Sequence, residues 1–313
     1  MRGIVLAGGS GTRLHPATLA INKQLLPVYD KPMIYYPLSV LMMAGIREIL
    51  IISSPEFIDS YRRLFGTGEQ LGLSFSYAEQ PRPEGLAQAF TIGREFVGSG
   101  PVALILGDNI FFGAGLQAML RRVRKAQNGA TVFAYHVDDP ERYGVVTLDK
   151  RNNPTKIIEK PEHADSSWAV TGLYFYENSV LDIAATLKPS ARGELEITDL
   201  NRVFLERGKL FVERLSRGYT WLDTGTHENL LEAALFVRII QHRQGMQVAC
   251  LEEIAFANGF IDLAQLEARG RLFEKTDYGR FILRLVAEVG GEEPVRSRHS
   301  LETVEQINTP KLC

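Results

Sequence analysis

The chain has 313 residues, of which 45% are hydrophobic and 23% charged, and its formal net charge is -2 at pH 7. This length is compatible with one large α/β unit plus an appendage, and nothing in the composition argues for a nucleic-acid-binding surface, which usually needs a clustered basic excess. No apolar run reaches 18 residues, so we expect no transmembrane helix. The N-terminus lacks the apolar core of a signal peptide, and the two cysteines, Cys250 and Cys313, offer neither a disulfide framework nor a metal-binding spacing. We therefore expect a cytoplasmic protein.

Short apolar runs alternate with helical patterns through the first half of the chain. Continuous apolar runs are typical of strands buried on both faces of a parallel sheet. Their alternation with helices predicts a Rossmann-like, mostly parallel α/β sheet flanked by helices. The predicted strands are Gly3–Leu6, Ile49–Ser53, Leu73–Ala78, Val102–Leu106 and Thr131–Val137, and the predicted helices are Met33–Ala44, Leu86–Phe96 and Leu116–Lys125.

The pattern changes from about Tyr143, where strand-like runs follow one another with little helix between them. These runs predict antiparallel strands inserted into the sheet at Gly144–Leu148, Thr155–Glu159 and Ala169–Tyr176. Further predicted elements are helices at Glu177–Leu187, Glu196–Glu206 and Glu228–Arg243 and strands at Leu210–Leu215 and Tyr219–Leu222. After Gly245, helical patterns at Glu252–Asn258, Leu263–Arg269 and Tyr278–Val289 predict a small helical C-terminal subdomain.

A glycine-rich loop follows the first predicted strand. The segment 6–14 reads LAGGSGTRL, so backbone N–H groups can approach a ligand closely and hold phosphate oxygens, and Arg13 adds a guanidinium suited to phosphate. The loop has Leu14 where a dinucleotide fingerprint has its third glycine, and it lacks the Gly-Lys-Ser/Thr of a P-loop. A plain tight turn is the alternative, but a turn alone has no need of an arginine beside three glycines.

Three further charged residues are candidates for the same site. Lys23 lies twelve positions beyond Gly11 and could fold back over the same phosphates, although taken alone it fits a solvated surface charge. Asp108 and Asp223 each follow an apolar run, at the strand end where ligands of open α/β sheets bind, and carboxylates near phosphates suit Mg²⁺. Taken alone, either aspartate is equally compatible with an Asx-turn or a helix cap.

A series of long motifs extends from about residue 2 to about residue 288. In chain order they are LAGGSGTRL, KQLLP, DKPMIYYPL, QPRPEGLAQA, LGDNIF, ERYGVV, EKP, AVTGLYFY, KPSARGELEITD and WLDTGTH. Together they resemble the sugar nucleotidyltransferase family, and within it the bacterial glucose-1-phosphate thymidylyltransferases, also called dTDP-glucose pyrophosphorylases.

The resemblance implies an activity, a cofactor and an assembly. The glucose-1-phosphate thymidylyltransferases form dTDP-glucose and pyrophosphate from dTTP and α-D-glucose 1-phosphate with Mg²⁺, as the first step toward dTDP-rhamnose-type deoxysugars. These enzymes assemble as homotetramers, and many of them are inhibited allosterically by a downstream dTDP-sugar. The implied domains are a catalytic domain over 1–244, with a nucleotide part at about 1–140 and a sugar part at about 141–244, then a helical subdomain over 245–290 and a disordered tail over 291–313.

The resemblance also implies roles for individual residues. Those implied in catalysis are Arg13, Lys23, Asp108 and Asp223, and the two aspartates are the implied metal ligands. Those implied in nucleotide binding are Leu6, Gly8, Gly9, Gly11, Thr12, Arg13, Gln24, Gln80, Pro83, Gly85 and Asp108. Those implied in sugar-phosphate binding are Asn109, Tyr143, Gly144, Glu159, Lys160, Val170, Tyr174, Arg192 and Trp221.

Side-chain chemistry agrees with these roles but leaves alternatives. The Gln80 amide can pair with the edge of a pyrimidine, Glu159 can accept hydrogen bonds from sugar hydroxyls, and Trp221 can give a hexose an apolar wall. Lys160 and Arg192 can bind the 1-phosphate. Glu159 and Lys160 would otherwise form an exposed ion pair, Trp221 would be a core residue, and Arg192 would be a surface charge.

Two other functions remain open from the sequence. The same chemistry could use another pair, such as UTP or a modified hexose phosphate, because one methyl group separates thymine from uracil. A catalytically silent nucleotide-sugar sensor on this fold is the second alternative. Retention of Arg13, Lys23, Asp108 and Asp223 argues against the sensor, since a sensor could lose any of them.

Overall fold

The computed structural model describes residues 1–9, 11–126 and 128–291, and they fold around a nine-stranded central sheet. The strands of the described residues are β1 (Arg2–Leu6), β2 (Pro27–Val28), β3 (Lys31–Pro32), β4 (Glu48–Ser53), β5 (Ser74–Glu79), β6 (Val102–Leu106), β7 (Asn109–Gly113), β8 (Ala130–His136), β9 (Gly144–Leu148), β10 (Pro154–Glu159), β11 (Trp168–Tyr176), β12 (Leu210–Leu215) and β13 (Tyr219–Asp223). β2 pairs with β3 and β7 pairs with β13 in two separate small sheets, and the other nine strands form the central sheet.

Helices cover the sheet and extend beyond it. Within the described residues they are α1 (Tyr35–Met43), α2 (Ile58–Phe65), α3 (Gln88–Ile92), α4 (Arg94–Val97), α5 (Leu116–Lys125), α6 (Val180–Thr186), α7 (Ile197–Glu206), α8 (His227–Gln244), α9 (Leu251–Ala257), α10 (Leu263–Leu272) and α11 (Asp277–Gly290). No helix in the described part of the chain is long and apolar enough to cross a membrane.

Parallel pairing organises the first half of the sheet. β1 lies between β4 and β6, with Gly3 opposite both Ile49 and Ala103, and β5 extends the parallel group beyond β4. β11 then runs antiparallel to β6, β8 and β9, β10 adds antiparallel to β9, and β12 adds parallel to β8. The predicted α/β sheet with inserted antiparallel strands is confirmed, and the antiparallel group lies beside β6.

Two apolar cores lie on opposite faces of the sheet. Val5 packs into the first core with residues of α1, α5 and the C-terminal helices, whereas Ile4 packs into the second core with residues of α3, α6 and α7. This division follows from strand geometry, because successive side chains point to opposite faces. Both residues are fully buried, and burying such a side chain contributes about 1.5–3 kcal/mol. The cores thereby fix the strand ends on which the site is built.

One local prediction is wrong, and two longer elements were not predicted. The predicted helix Leu86–Phe96 is interrupted at Gly93 into α3 and α4. A Cβ at Gly93 would lie 2.9 Å from Ile4 Cδ1, so a larger residue there would need its neighbours to shift. Helix α2 was not predicted, although Ile58, Tyr61 and Phe65 give it an apolar face. Strand β7 was also not predicted, because it begins one residue after Asp108 and pairs with β13 outside the main sheet.

The last helices follow a left-handed cap at Gly245, whose φ of 66° ends α8. Helix α10 packs on α11, and α9 packs on α1. The predicted division of the chain at 244/245 stays a prediction. Gly291 caps α11, and the rest of the predicted tail, 292–313, lies outside the described residues.

Candidate functional site

The glycine-rich loop leaves β1 beside the carboxyl ends of its neighbours. Ala7 N–H donates to the Ile52 carbonyl at the end of β4, and Gly107 N–H donates to the Leu6 carbonyl at 2.9 Å. Gly9 and Gly11 have φ values of 98° and 60°, a region that favours glycine. The loop therefore turns at the edge of the sheet where ligands of α/β proteins bind.

Lys23 is brought to this edge by a short 3-10 turn, residues 23–25. Asn22 precedes the turn, and its side-chain oxygen accepts hydrogen bonds from Gln24 N–H at 3.0 Å and from the Tyr61 hydroxyl at 2.8 Å. The Asn22 amide in turn donates to the Ala7 carbonyl at 3.3 Å, so this buried side chain ties the turn to the start of the loop. Asn22 is a supporting residue to which the sequence assigned no role.

Lys23 and Asp108 form an ion pair directly beyond β6. The Lys23 ammonium donates to Asp108 Oδ2, and the two side chains are 13% and 19% exposed. Burial acts to raise the pKa of Asp108, but the charge and hydrogen bond of Lys23 and the Asn109 amide outweigh burial and hold the pKa below its usual value. Asp108 is therefore a carboxylate at neutral pH.

Pairing of β7 with β13 brings Asp223 beside Asp108. Asp223 lies opposite Asn109 in this ladder, and the Thr224 hydroxyl donates to the Asp108 carbonyl at 2.8 Å. Burial and the charge of Asp108 raise the pKa of Asp223, against the opposing charges of Lys23 and Arg13. The two aspartates, 115 positions apart, thus meet at one point, as the sequence required of a shared site.

The donor set suits a hard divalent cation. Two carboxylates that repel each other gain from a cation between them, and Mg²⁺ is typically held by one or two carboxylates together with substrate phosphates and water. Among the described residues there is no cluster of three or more His, Cys, Asp or Glu side chains that could hold a metal without a substrate. Asp108 and Asp223 would hold the ion, with the remaining ligands supplied by phosphate and water.

The predicted base-binding residues lie next to the loop. A Cβ on Gly8 would come within 2.3 Å of Gln80 Oε1, so Gly8 leaves room for a side chain that is itself 5% exposed. The Gln80 amide donates to Gln88 Oε1 at 2.6 Å. Gly85 packs against the backbone of Leu195, where a Cβ would lie 2.5 Å from the Leu195 nitrogen.

The remaining nucleotide-side residues differ in exposure. Gln24 is buried, and its amide donates to the Gly8 carbonyl at 3.4 Å, while its side-chain oxygen has no hydrogen-bond partner within the described protein. Leu6 is also buried, whereas Thr12, Arg13 and Pro83 are exposed. We call residues 8, 9 and 11–13 of the loop, together with Lys23, Gln24, Gln80 and Asp108, the nucleotide side of the candidate site.

A second charged group lies on β10 and the segment before α7. The Thr198 hydroxyl donates to Glu159 Oε2, and Arg192 Nη2 lies 3.4 Å from Glu159 Oε1. The buried Glu196 carboxylate accepts from Arg192 Nε at 3.1 Å and from Nη2 at 2.8 Å. Lys160, with a φ of 39°, lies 4.0 Å from Glu159. The charged residues predicted to bind the sugar phosphate are therefore collected in one place.

Aromatic residues and a glycine complete this second group. The rings of Tyr143 and Trp221 meet edge to face at 5.2 Å, and Trp221 is 8% exposed. A Cβ on Gly144 would lie 3.2 Å from Glu159 Oε2. Val170 and Tyr174 are buried, and the Tyr174 ring stacks on Tyr176. The residues called the sugar side are Tyr143, Gly144, Glu159, Lys160, Val170, Tyr174, Arg192 and Trp221.

Asn109 connects the two sides. Its side-chain oxygen accepts hydrogen bonds from the Trp221 indole and from the Gly172 backbone, and its amide donates to Asp108. The sequence placed Asn109 among the sugar-binding residues, but these contacts engage both ends of its amide within the protein.

Three other residues of this region were missed. Glu196 forms an ion pair with Arg192, and the Thr198 hydroxyl donates to Glu159. Arg142 lies close enough to Asp223 for its charge to oppose the rise in the pKa of that carboxyl. The available signal was their place in the motifs ERYGVV and KPSARGELEITD, which contain candidates on neighbouring positions.

A separate cavity of about 660 Å³ lies between the β2–β3 hairpin, the end of α8 and α11, and in the described chain no predicted site residue lines it. The buried Lys31 at its floor meets oxygens of Asp30 at 2.6 Å, Gln241 at 3.1 Å and Gln247 at 3.4 Å. Since these acceptors satisfy the ammonium within the protein, we place the candidate site at the strand ends.

A profile of the nucleotidyl transferase family matches residues 2–239. The chain belongs to the nucleotidyl transferase family. The cluster at the carboxyl ends of β1 and β6 is therefore the candidate active site of a nucleotidyl transferase.

Relatives of this nucleotidyl transferase include the glucose-1-phosphate thymidylyltransferase of Neisseria gonorrhoeae, 57% identical over 288 residues, which are 92% of this chain and 100% of the relative. The enzyme of that name from Xanthomonas campestris pv. campestris (strain B100) is 59% identical over 284 residues, covering 91% of this chain and 96% of the relative.

Solved structures show the same fold. A Bacillus anthracis protein in complex with sucrose, assigned as a glucose-1-phosphate thymidylyltransferase, superposes with a TM-score of 0.71 at 42% identity, over 76% of this chain and 95% of that one. A UDP-glucose pyrophosphorylase complexed with UDP-glucose superposes with a TM-score of 0.68 at 26% identity, over 76% of this chain and 98% of that one.

Proposed function

We propose that this protein is a glucose-1-phosphate thymidylyltransferase, which joins α-D-glucose 1-phosphate to dTTP and releases pyrophosphate. The observation that carries the proposal is the convergence of Lys23, Asp108 and Asp223 beside the glycine-rich loop. The curated relatives that cover nine-tenths of the chain have the same name and support the choice of substrates.

The reaction depends on position and charge. A phosphate oxygen of the sugar phosphate attacks the α-phosphorus of dTTP in line, and the bond from that phosphorus to the pyrophosphate oxygen breaks. Arg13 and Lys23 neutralise charge on the triphosphate, and the backbone N–H groups of the loop hold its oxygens. The attacking phosphate monoester is largely dianionic at neutral pH, so no side chain is needed to remove a proton.

We propose that the metal is Mg²⁺ and that Asp108 and Asp223 hold it. When bound, it would neutralise phosphate charge and orient the triphosphate. The approach of the two aspartates supports this assignment, since burial and mutual repulsion raise the pKa of Asp223.

Thymine would lie between the loop and the segment 80–85, with the Gln80 amide against its polar edge. The place of Gln80 supports this position, because its Oε1 lies where a Cβ on Gly8 would be and is therefore beside the loop. A hydrophobic contact with one methyl group discriminates by about 1–3 kcal/mol, so UTP should be a poorer substrate rather than an inactive one.

The sugar phosphate would lie on the sugar side. Arg192 and Lys160 would bind the phosphate, Glu159 the sugar hydroxyls, and Trp221 the apolar face of the ring. Further parts of the proposal are a cytoplasmic location, a homotetramer, feedback inhibition by a dTDP-sugar, and a place at the start of dTDP-rhamnose-type deoxysugar synthesis.

Pyrophosphate release by the purified protein tests the function. Glucose 1-phosphate and Mg²⁺ are paired in turn with dTTP, UTP, CTP, ATP and GTP, and the fastest release is expected with dTTP. EDTA should abolish it. Equal rates with UTP and dTTP would contradict the thymine assignment. No release with any nucleotide, together with tight binding of dTDP-glucose, would favour the silent sensor.

A further inference from the structure

Asn109 occupies an unusual position between the two sides of the proposed site. It is the first residue of β7, and its side chain is 4% exposed. Its Oδ1 accepts a hydrogen bond from Trp221 Nε1 at 2.6 Å and another from the Gly172 backbone N–H at 3.1 Å. Its Nδ2 donates to Asp108 Oδ1 at 3.0 Å.

These contacts allow one orientation of the amide. A carboxamide oxygen has two lone pairs, and both face N–H donors here, so a flipped amide would direct its own N–H groups at those donors. The Asn109 nitrogen must therefore face Asp108. Since Lys23 donates to the other oxygen of that carboxylate, each Asp108 oxygen has its own donor and the carboxylate plane is fixed.

We propose that Asn109 is a positioning residue for Asp108, and that Trp221 acts on the carboxylate through Asn109. The inference rests on the proposed function, in which Asp108 is a metal ligand. It assigns Asn109 a role in orienting that ligand, which its place among the predicted sugar-binding residues did not include. Trp221, a residue of the sugar side on β13, thereby helps to orient the Asp108 carboxylate on the nucleotide side.

Residues that orient a metal ligand through a hydrogen bond typically change metal affinity or activity by about 10–100-fold when replaced. A residue that only fills space would change stability without a selective effect on the metal. The two roles therefore separate when binding is compared with and without the ion.

Isothermal titration of dTTP, with no sugar phosphate present, makes that comparison. Each protein is titrated once with Mg²⁺ and once with EDTA, and the ratio of the two dissociation constants measures the metal-dependent gain. The variants are Asn109→Leu, which keeps a similar volume without hydrogen-bonding groups, and Trp221→Phe, which removes the indole donor and keeps a smaller aromatic ring.

Asn201→Leu is the matched control. Asn201 is fully buried on α7, and its side-chain oxygen also accepts from an aromatic residue, the Tyr176 hydroxyl, at 2.6 Å. The same substitution therefore leaves an aromatic donor unpaired in both proteins, but at a position within the second core.

We expect the metal-dependent gain to fall by about 10–100-fold in Asn109→Leu, to fall less in Trp221→Phe, and to stay unchanged in Asn201→Leu. Binding in EDTA should stay near the wild-type value in all three. An Asn109→Leu protein that melts near the control and keeps the wild-type gain overturns the inference.

If Asn109→Leu does not fold, an unchanged gain in Trp221→Phe overturns the inference. A wild-type protein with no metal-dependent gain at all would instead contradict the proposed function, and the inference with it. The two failures are thus distinguished by the wild-type titration alone.

Discussion

On the nucleotide side of the proposed site, Lys23 and Asp108 hold each other with side chains only 13% and 19% exposed. On the sugar side, Arg192 and Lys160 are 40% and 48% exposed, and Arg192 is held by the carboxylates of Glu196 and Glu159. The nearly buried Lys23 and Asp108 charges interact through a lower dielectric than the exposed charges of the sugar side. Separating the buried pair therefore costs more free energy.

This difference suggests a division of work. Buried, closely held charges suit a reaction that needs fixed electrostatics, whereas exposed cations can exchange a carboxylate for a phosphate as the sugar substrate arrives. We therefore expect replacements on the nucleotide side to act on turnover and replacements on the sugar side to act on binding.

The largest effect is expected for Lys23→Ala. Loss of one charge that stabilises the transition state costs roughly 10²–10³-fold in kcat, while dTTP binding should change much less. Steady-state kinetics and a dTTP titration measure the two quantities, with Lys209→Ala as control, because Lys209 pairs with Glu177 outside the site. Equal losses in kcat and dTTP affinity would contradict a transition-state role.

Arg192→Ala should show the opposite profile. A charge-assisted hydrogen bond contributes about 1.5–3 kcal/mol, so KM for glucose 1-phosphate should rise about 10–100-fold with dTTP affinity unchanged. Arg192→Lys should restore part of the loss, since it keeps the charge without the planar fork. A drop in kcat at saturating sugar phosphate, with KM unaltered, would remove the proposed contrast between the two sides.

The choice between dTTP and UTP should depend on the nucleotide side alone. We expect kcat/KM for dTTP to exceed kcat/KM for UTP by about 10–200-fold, the range set by one methyl contact. Measuring the same ratio in Arg192→Ala sharpens the comparison, because a sugar-side change should leave it as in the wild type. A ratio that shifts with Arg192→Ala would show that the two sides are not separable.

The smallest effect concerns Glu253, which lies on α9, outside both sides. Burial raises the pKa of Glu253 to about 8, so the folded protein binds this proton more tightly than the unfolded chain. Stability should therefore fall as the pH rises from about 4.5 toward 8, the interval between the ordinary carboxyl pKa and the raised one.

Glu253→Gln replaces the carboxyl group with a neutral amide, so the free-energy cost of burying a charged carboxylate at high pH disappears. It should raise Tm at pH 9 by a few degrees, since 1 kcal/mol shifts Tm by about 2–4 °C in domains of 150–250 residues, and change it little at pH 5. Thermal unfolding at both values checks this. A lower Tm at pH 9 in the variant would show that the ionised carboxylate is stabilising.

Local sequence patterns predicted most of the sheet and the family. The apolar runs that became β1, β4 and β6 are long and buried on both faces, so their pattern is unambiguous. The segment 86–96 was predicted as one helix because its apolar stripe continues across Gly93, a residue that disfavours helix and at which α3 ends and α4 begins. Strand β7 was missed because its partner, β13, lies more than a hundred residues later.

The same reasoning explains the outcome at the site. Arg13, Lys23, Asp108 and Asp223 could be named from motifs, and their roles stay predictions. Asn22 and Glu196 act on other protein groups, so their importance depends on contacts that fold formation creates. Sequence patterns contain little information about such supporting contacts.

The most direct test of the central claim, attack of the sugar phosphate on the α-phosphorus of dTTP, follows oxygen atoms. Glucose 1-phosphate labelled with ¹⁸O at its non-bridging phosphate oxygens is incubated with dTTP, Mg²⁺ and the protein, and the products are analysed by ³¹P NMR. The account predicts ¹⁸O in dTDP-glucose, including the oxygen between its two phosphorus atoms, and none in pyrophosphate. Label in the released pyrophosphate would contradict it.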